Sequence, residues 1–524
     1  MSIYLWFVFF LFVQIIHFLG TWKLYEAAGR KRWEAGIPVY NAIVLMKIIG
    51  RPSWWTLLLF IPIINLIMFP VIWIETLRSF GKKSSLDTFL GVITFGLYIY
   101  YINYSKKLDY VADRSIHPQN KTADTVSSLL FAIIVATLVH TYLVQPYTIP
   151  TSSLEKSLLV GDFLFVSKLN YGARVPITAV ALPMVHDSIP FVKTKSYLKW
   201  PQIPYLRLPG LEDIKRTDIV VFNWPVDTVH FFFEAKGRPG VIKPIDKKSN
   251  YVKRCVGVPG DNLSIKNGVI YINGEVLQLP ERAKPQFSYS VVLDGKTPID
   301  FEYLLRDMDV TDGIGYKSNL QDTLLFRALT AKGAVRLRNV PGVTAVIQEI
   351  SKGPEQGIFP QINEWNRDNF GPIYIPQQGK TVALNAESLP FYKRIITDYE
   401  LSDNGDKNDL KIIGNEIRLN GTVIKDYTFK QNYYWMMGDN RHNSEDSRYW
   451  GFVPENHIVG KPVFIWMSWD TNGKGFNKIR WDRVFTTVSG DGQPQSYLQY
   501  FLIALAVFFV GEYFWKKRKD KKNI

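Results

Sequence analysis

The 524-residue sequence is short of the side chains that staple small folds or hold metals. It contains one cysteine, Cys255, and seven histidines. A single cysteine excludes an intrachain disulfide, whichever compartment holds the chain. No zinc-ligand spacing occurs. No RNA-binding aromatic signature accompanies the 62 Lys and Arg residues, so the formal charge of +15 does not point to nucleic acid. No G-x-S-x-G elbow is present, and His17, His117 and His140 lie in or beside apolar or inside-facing stretches. A Ser-His-Asp hydrolase is therefore a poor fit.

Long apolar runs are plentiful. Five stretches could cross a bilayer: Ile3–Leu19, Trp54–Ile74, Thr88–Tyr104, Val126–Val144 and Leu498–Phe514. Each is near the length of about 20 residues that a spanning helix needs. The second contains Pro62, Asn65 and Pro70, which suits a re-entrant or broken segment. The first has no basic segment before it and no A-x-A site after it. Its charges follow it, at Lys23, Arg30, Lys31 and Arg32. It reads as a retained span with its N-terminus outside, rather than a removed leader. Five spans place the C-terminal KKRKDKKNI inside, as the positive-inside rule requires, but turn Arg78, Lys82 and Lys83 outward against it.

The expected organisation follows. Residues 1–125 form an N-terminal membrane region with about three spans, and 126–145 a transmembrane anchor. Residues 146–492 form an outside domain with an insert at about 280–409. Residues 493–515 make a C-terminal transmembrane helix, and 516–524 a basic cytoplasmic tail. The outside domain reads as mainly β. "DIVVF", "GVIYINGE", "EIRLNGTV" and "PVFIWMSW" are rich in β-branched and aromatic residues, and Asn-Gly pairs at 267, 273 and 420 supply hairpin turns. Tight turns join antiparallel neighbours, so antiparallel sheets are expected. "YVKRCVGV" from Tyr251 is echoed by "FYKRIITD" from Phe391, and both are followed by an NG hairpin. The echo is either a duplicated strand module or chance.

Three blocks carry chemistry. "IPTSSLEKSLLVGDFLFVSK" runs from Ile149 to Lys168, just after an apolar run. "YVKRCVGVPGD" places Lys253 in a strand-like run. A lysine can act as a base only if burial lowers its pKa of about 10.4 by several units. On alternation Lys253 faces opposite to Val252 and Arg254, so one of the two basic groups can point inward while the other meets water. A solvent-facing strand lysine remains the plain alternative. "MMGDNRHNSEDSRYWGFVPENHIVG", from Met436, offers Ser444 and an Asp446–Arg448 pair across a bend; a structural polar loop would look the same.

In this order, behind an apolar span, the three blocks resemble bacterial type I signal peptidase, and "RTDIVVFNWP" fits a further block. The resemblance covers about a quarter of the outside domain. It implies a Ser/Lys dyad, with Ser153 as nucleophile and Lys253 as general base. It implies oxyanion donors from the Ser153 N–H and the Thr151 hydroxyl. Ser444 would orient the lysine, with Asp446 and Arg448 as the supporting pair. Ile149 and Val252 would line shallow pockets for small side chains. The implied enzyme is a serine endopeptidase of the inner (plasma) membrane, multi-pass, with its mainly β, signal-peptidase-like catalytic domain on the extracytoplasmic side. Its partners would be signal peptides of exported precursors, membrane lipid and a nearby export translocon, without nucleic acid. It would need no metal or cofactor. The sequence departs from the family at Ser152, Leu154, Lys156-Ser157 and His442, the last standing where an acid is frequent.

Two other readings stand beside it. Ser153-x-x-Lys156 with Ser402-Asp403-Asn404 matches two of three marks of penicillin-binding proteins, but K-T-G is absent. A non-catalytic membrane adaptor on a peptidase scaffold is the other. Within the dyad reading, Lys393 is a second candidate base, without the Gly-x-Pro-Gly-Asp that follows Lys253.

Overall fold

The structure is a computed structural model. It describes residues 2–522 except 106, 118–120, 193, 231–233, 235–237, 309, 318–321, 362–363, 403–405, 471–472, 474 and 491. The last two residues of the basic tail thus lie outside the described residues. The chain divides into two compact units.

The first unit comprises Met1–Leu143, Ala173–Leu208 and Asp227–Lys248. Its helices are α1 (Ile3–Ala27), α2 (Tyr40–Ile48), α3 (Trp55–Leu58), α4 (Ile64–Ser79), α5 (Ser85–Ile93), α6 (Tyr98–Asn103) and α7 (Lys121–Leu138). Three helices among the described residues are long and apolar enough to cross a membrane: Ile3–Ala27, Lys121–Leu143 and Leu498–Lys519. The second and third expected spans are not among them. Trp54–Ile74 is broken between α3 and α4, where Pro62 lacks an N–H and Ile63 turns at φ 70°. Thr88–Tyr104 is broken between α5 and α6, where Phe95 and Gly96 adopt φ 52° and 82°. Hydropathy alone registers apolar length, not these reversals.

The second unit comprises Val144–Gly172, Pro209–Val226 and Ser249–Ile524. Its main sheet contains β1 (Val144–Thr148), β2 (Asp162–Ser167), β3 (Ile219–Asn223), β4 (Asn250–Gly257), β5 (Tyr433–Met437) and β6 (Ile458–Ser468). The order is β1-β2-β6-β3-β4-β5, ending on Val453–Pro454, and the pairings are antiparallel. β4 is therefore an inner strand, with Lys253 opposite Val220 and Val252 opposite Val221. Smaller antiparallel sheets flank it. One is built from Gln286–Leu293, Ile314–Tyr316, Thr323–Thr330 and Val343–Gln348, around a core of Val291, Phe326 and Leu337. The three Asn-Gly pairs close hairpins with positive φ at both residues, as their type predicts.

The Tyr251 and Phe391 echo is not a structural repeat. Tyr251 lies in β4, whereas Phe391 lies in a helix, Leu389–Arg394, that leaves Lys393 exposed. The shared Lys-Arg pair takes its conformation from tertiary surroundings, not from its own propensity.

Candidate active site

β1 ends at Thr148, and the chain is held to β2 by Ile149 N–H to the Asp162 carbonyl, 2.9 Å. A 3-10 turn, Ser152–Leu154, then lifts Ser153 out of the strand line. Asn440 fixes that turn twice. Its backbone N–H donates to the Ser153 carbonyl at 3.0 Å, and its side chain donates to the Ser152 carbonyl at 3.2 Å. Gly438 must be glycine for the same reason: a Cβ there would collide with the Ser153 carbonyl and the Ser444 hydroxyl.

The Lys253 Nζ lies 2.5 Å from the Ser153 Oγ, although the two residues are 100 apart in the chain. Lys253 is 3% exposed and Ser153 8%. Burial pushes the lysine down to about 8, while the Asp446 and Glu445 carboxylates oppose the fall. Among the described residues no carboxylate lies within ion-pair distance of Lys253, and the Tyr251 ring centroid is 5.5 Å from its nitrogen.

Arg254 does not meet water. It is as buried as Lys253, because Asp439 accepts from its Nε at 2.8 Å and from its Nη2 at 2.6 Å. Burial would raise the Asp439 carboxyl, but the Arg254 guanidinium holds it below the usual range. Ser157 donates to the same carboxylate at 2.6 Å. The neighbouring pair is built likewise. Asp446 accepts from Arg448 Nε at 2.8 Å and from the Gly438 N–H at 3.0 Å, and Arg448 donates to the Arg441 carbonyl at 2.7 Å. The Arg448 charge outweighs burial and keeps Asp446 ionised.

The other predicted residues are less closely drawn in. Thr151 is the N-cap of the serine turn, with no side-chain capping bond. Ile149 is buried in a cluster with Leu154 and Leu164, and Val252 packs against that cluster. Among the described residues the buried Ser444 hydroxyl has no hydrogen-bond partner, so it does not reach the Lys253 amine. Lys156 adopts φ 71° in the turn after Leu154, not on the helix that S-x-x-K requires, and Asp403 and Asn404 lie outside the described residues.

Sequence reasoning missed the contribution of the insert. Asp312 accepts from the Asn440 side chain at 2.6 Å and from the Asn443 side chain at 3.0 Å. His442 accepts at Nδ1 from the Ser288 N–H, 3.1 Å, and faces Asp368 through Nε2 at 2.9 Å. A protonated Nε2 donating to Asp368 satisfies both contacts. Position 442 lacks the frequent acid, but Asp368 brings one to it. No local signal could have shown this, since the two residues are 74 apart. A cavity of about 460 Å³ borders Ser157 and Arg254 and is lined by neither Ser153 nor Lys253.

Residues 122–314 and 375–469 match the family model described as "Signal peptidase, peptidase S26", more than half of the chain. Residues 33–113 match a family of unknown function, DUF5684. Similar curated proteins named signal peptidase I come from several bacteria. That of Buchnera aphidicola subsp. Baizongia pistaciae is 24% identical over 376 residues, covering 70% of this chain and 84% of the relative. That of Helicobacter pylori is 25% identical over 384 residues, covering 70% and 92%. That of Aquifex aeolicus is 27% identical over 343 residues, covering 65% and 82%.

Proposed function

Because the chain belongs to the signal peptidase family S26, a membrane-anchored serine endopeptidase that removes signal peptides from exported precursors, we propose that Ser153 is its nucleophile and Lys253 its general base. The observation that carries the assignment is the 2.5 Å contact between a buried serine hydroxyl and a buried amine with no carboxylate partner among the described residues.

The chemistry follows from that contact. With a pKa of about 8, roughly a tenth of the Lys253 side chains are neutral at pH 7. A neutral amine takes the Ser153 proton as Oγ attacks the carbonyl carbon after a small residue, typically alanine. The Ser153 N–H and the Thr151 hydroxyl stabilise the oxyanion, each donor being worth about 3 kcal/mol. The lysine ammonium then protonates the leaving amine, which departs as the mature N-terminus. Water, deprotonated by the same amine, releases the signal peptide from Ser153.

Asp446 and Arg448 hold the loop that holds Ser153, and Ser444 orients the amine once substrate closes the site. Ile149 and Val252 shape the small-residue pockets. The catalytic domain works on the extracytoplasmic side of the inner membrane, close to the export translocon, with α1, α7 and the C-terminal helix as spans. Within residues 146–492 the peptidase domain excludes Ala173–Leu208 and Asp227–Lys248, which belong to the first compact unit, and the segment at about 280–409 is an insert that braces the catalytic loop. The test uses a purified precursor incubated with wild type, Ser153→Ala and Lys253→Ala. Wild type alone should generate a new N-terminus after a small residue; unchanged cutting by either variant contradicts the dyad.

A further inference from the structure

The broken segments α3–α4 and α5–α6 start and finish at one place. Arg51, just before α3, donates to Glu75 near the end of α4 at 3.1 Å. Arg114, which follows α6, reaches the same carboxylate at 2.5 Å, the Ser79 Oγ at 2.9 Å and the Ile49 carbonyl at 2.7 Å. The Val111 N–H donates to the Ser79 carbonyl, and the Tyr110 hydroxyl to the Ile48 carbonyl, both at 2.9 Å. The chain therefore leaves this junction twice and returns to it twice.

Neither excursion contains two helices of spanning length. At 1.5 Å per residue, α5 and α6 are about 13 and 9 Å long and α3 about 6 Å, against an apolar core of about 30 Å. The reversal between α5 and α6 is nevertheless suited to lipid. Every backbone N–H from Thr94 to Tyr98 is donated within the hairpin, that of Tyr98 to the Thr94 hydroxyl. Large apolar side chains cover its outside: Leu86, Phe89, Ile93 and Tyr101 are exposed, and Phe95 at the tip is 79% exposed. Glycines let the pieces pack. A Cβ on Gly20 would collide with Tyr100, one on Gly91 with Leu77, and one on Gly96 with Trp73.

The ends of α1 give the sides. Near its start, the Trp6 Nε1 donates to the carbonyl of Gln202, a residue downstream of α7, at 2.9 Å. Near its finish, Leu24 and Tyr25 pack with Leu77, Phe80 and Ile102 beside the junction. The junction and the Gln202 segment thus lie at opposite ends of a spanning helix.

We propose that residues 52–104 form two re-entrant hairpins that enter the bilayer from the cytoplasmic side, with lipid acyl chains as the partner of their exposed apolar faces, and return to the cytoplasm. Arg30, Lys31, Arg32, Lys82, Lys83 and Lys107 then all face the cytoplasm, together with the basic tail, as the positive-inside rule requires. The outward Arg78, Lys82 and Lys83 of a five-span arrangement no longer arise. The hairpins stand independently of the dyad. Only the name of the side they open to rests on the orientation proposed above.

Single cysteines in the full chain test this, because the native Cys255 is buried and silent. Arg30→Cys, Lys83→Cys, Lys107→Cys and Lys411→Cys are placed at exposed positions, with Lys82→Cys as a second reporter should Lys83→Cys fail to fold. Spheroplasts are treated with a membrane-impermeant maleimide before and after permeabilisation. Only Lys411→Cys should react in intact spheroplasts, and the other three should react after opening. Reaction of Lys83→Cys in intact spheroplasts, with Arg30→Cys and Lys107→Cys protected, means that the segments span and overturns the hairpins. Protection of Lys411→Cys with reaction of the other three supports the hairpins and overturns the orientation.

Discussion

The N-terminal helices and the catalytic sheet both bury charge, and they treat it in opposite ways. Among the helices, Glu75 collects Arg51, Arg78 and Arg114 on one carboxylate. In the sheet, Arg254 has Asp439 and Arg448 has Asp446, yet Lys253, beside Arg254 in the chain, has a hydroxyl and an aromatic ring and no carboxylate within ion-pair distance among the described residues. A paired buried charge locks pieces of chain together. An unpaired buried amine pays for its burial with a lowered pKa and so becomes able to accept a proton near neutrality. The pairing pattern, more than the burial, separates the staples from the proposed base.

That distinction can be broken by mutation. Lys253→Met keeps the apolar stem and removes the amine, and precursor cleavage should fall by about a thousandfold or more. Asp439→Asn strands the buried Arg254 and Glu75→Gln the buried Arg114, and each should destabilise its unit by about 3–5 kcal/mol in thermal or denaturant unfolding.

Lys253→Met should move stability the other way. The native lysine titrates near 8 and the unfolded one near 10.5, so below pH 8 the native state bears a penalty that the variant lacks. The variant should gain up to about 3 kcal/mol at pH 7. The gain should shrink as pH rises from 8 to 10.5, where the unfolded wild type holds a proton that the native state has released. Ser444→Ala should change stability least, by under about 0.5 kcal/mol, because its hydroxyl bonds to nothing among the described residues. Any role in orienting the amine would then appear in kcat and not in unfolding.

What the sequence made legible follows the range of each interaction. The Gly438–Asp439–Asn440 turn and the Asp446–Arg448 pair are local and can be read from adjacent letters. The mainly β character of the outside domain was readable from β-branched runs and Asn-Gly turns, since hairpin geometry depends on two residues. The partner of Arg254 was not, because Asp439 lies 185 residues away and alternation alone sent one of two adjacent basic groups to water. The bracing of the catalytic loop by Asp312 and Asp368 was hidden for the same reason. The broken spans were hidden differently. Ile63 and Phe95 adopt positive φ without glycine's freedom, so the residue type at neither position announces a reversal. The family resemblance reached the distant Ser153 and Lys253 together, which no count of residues could do.

The most direct test of the account is the pH dependence of kcat/KM for a signal-peptide-bearing precursor. With the neutral amine as the proposed base, the rate should rise tenfold per pH unit below the lysine's pKa and level off just above pH 8. A profile already flat from about pH 6 upward would assign proton transfer to some other group and contradict Lys253 as the base.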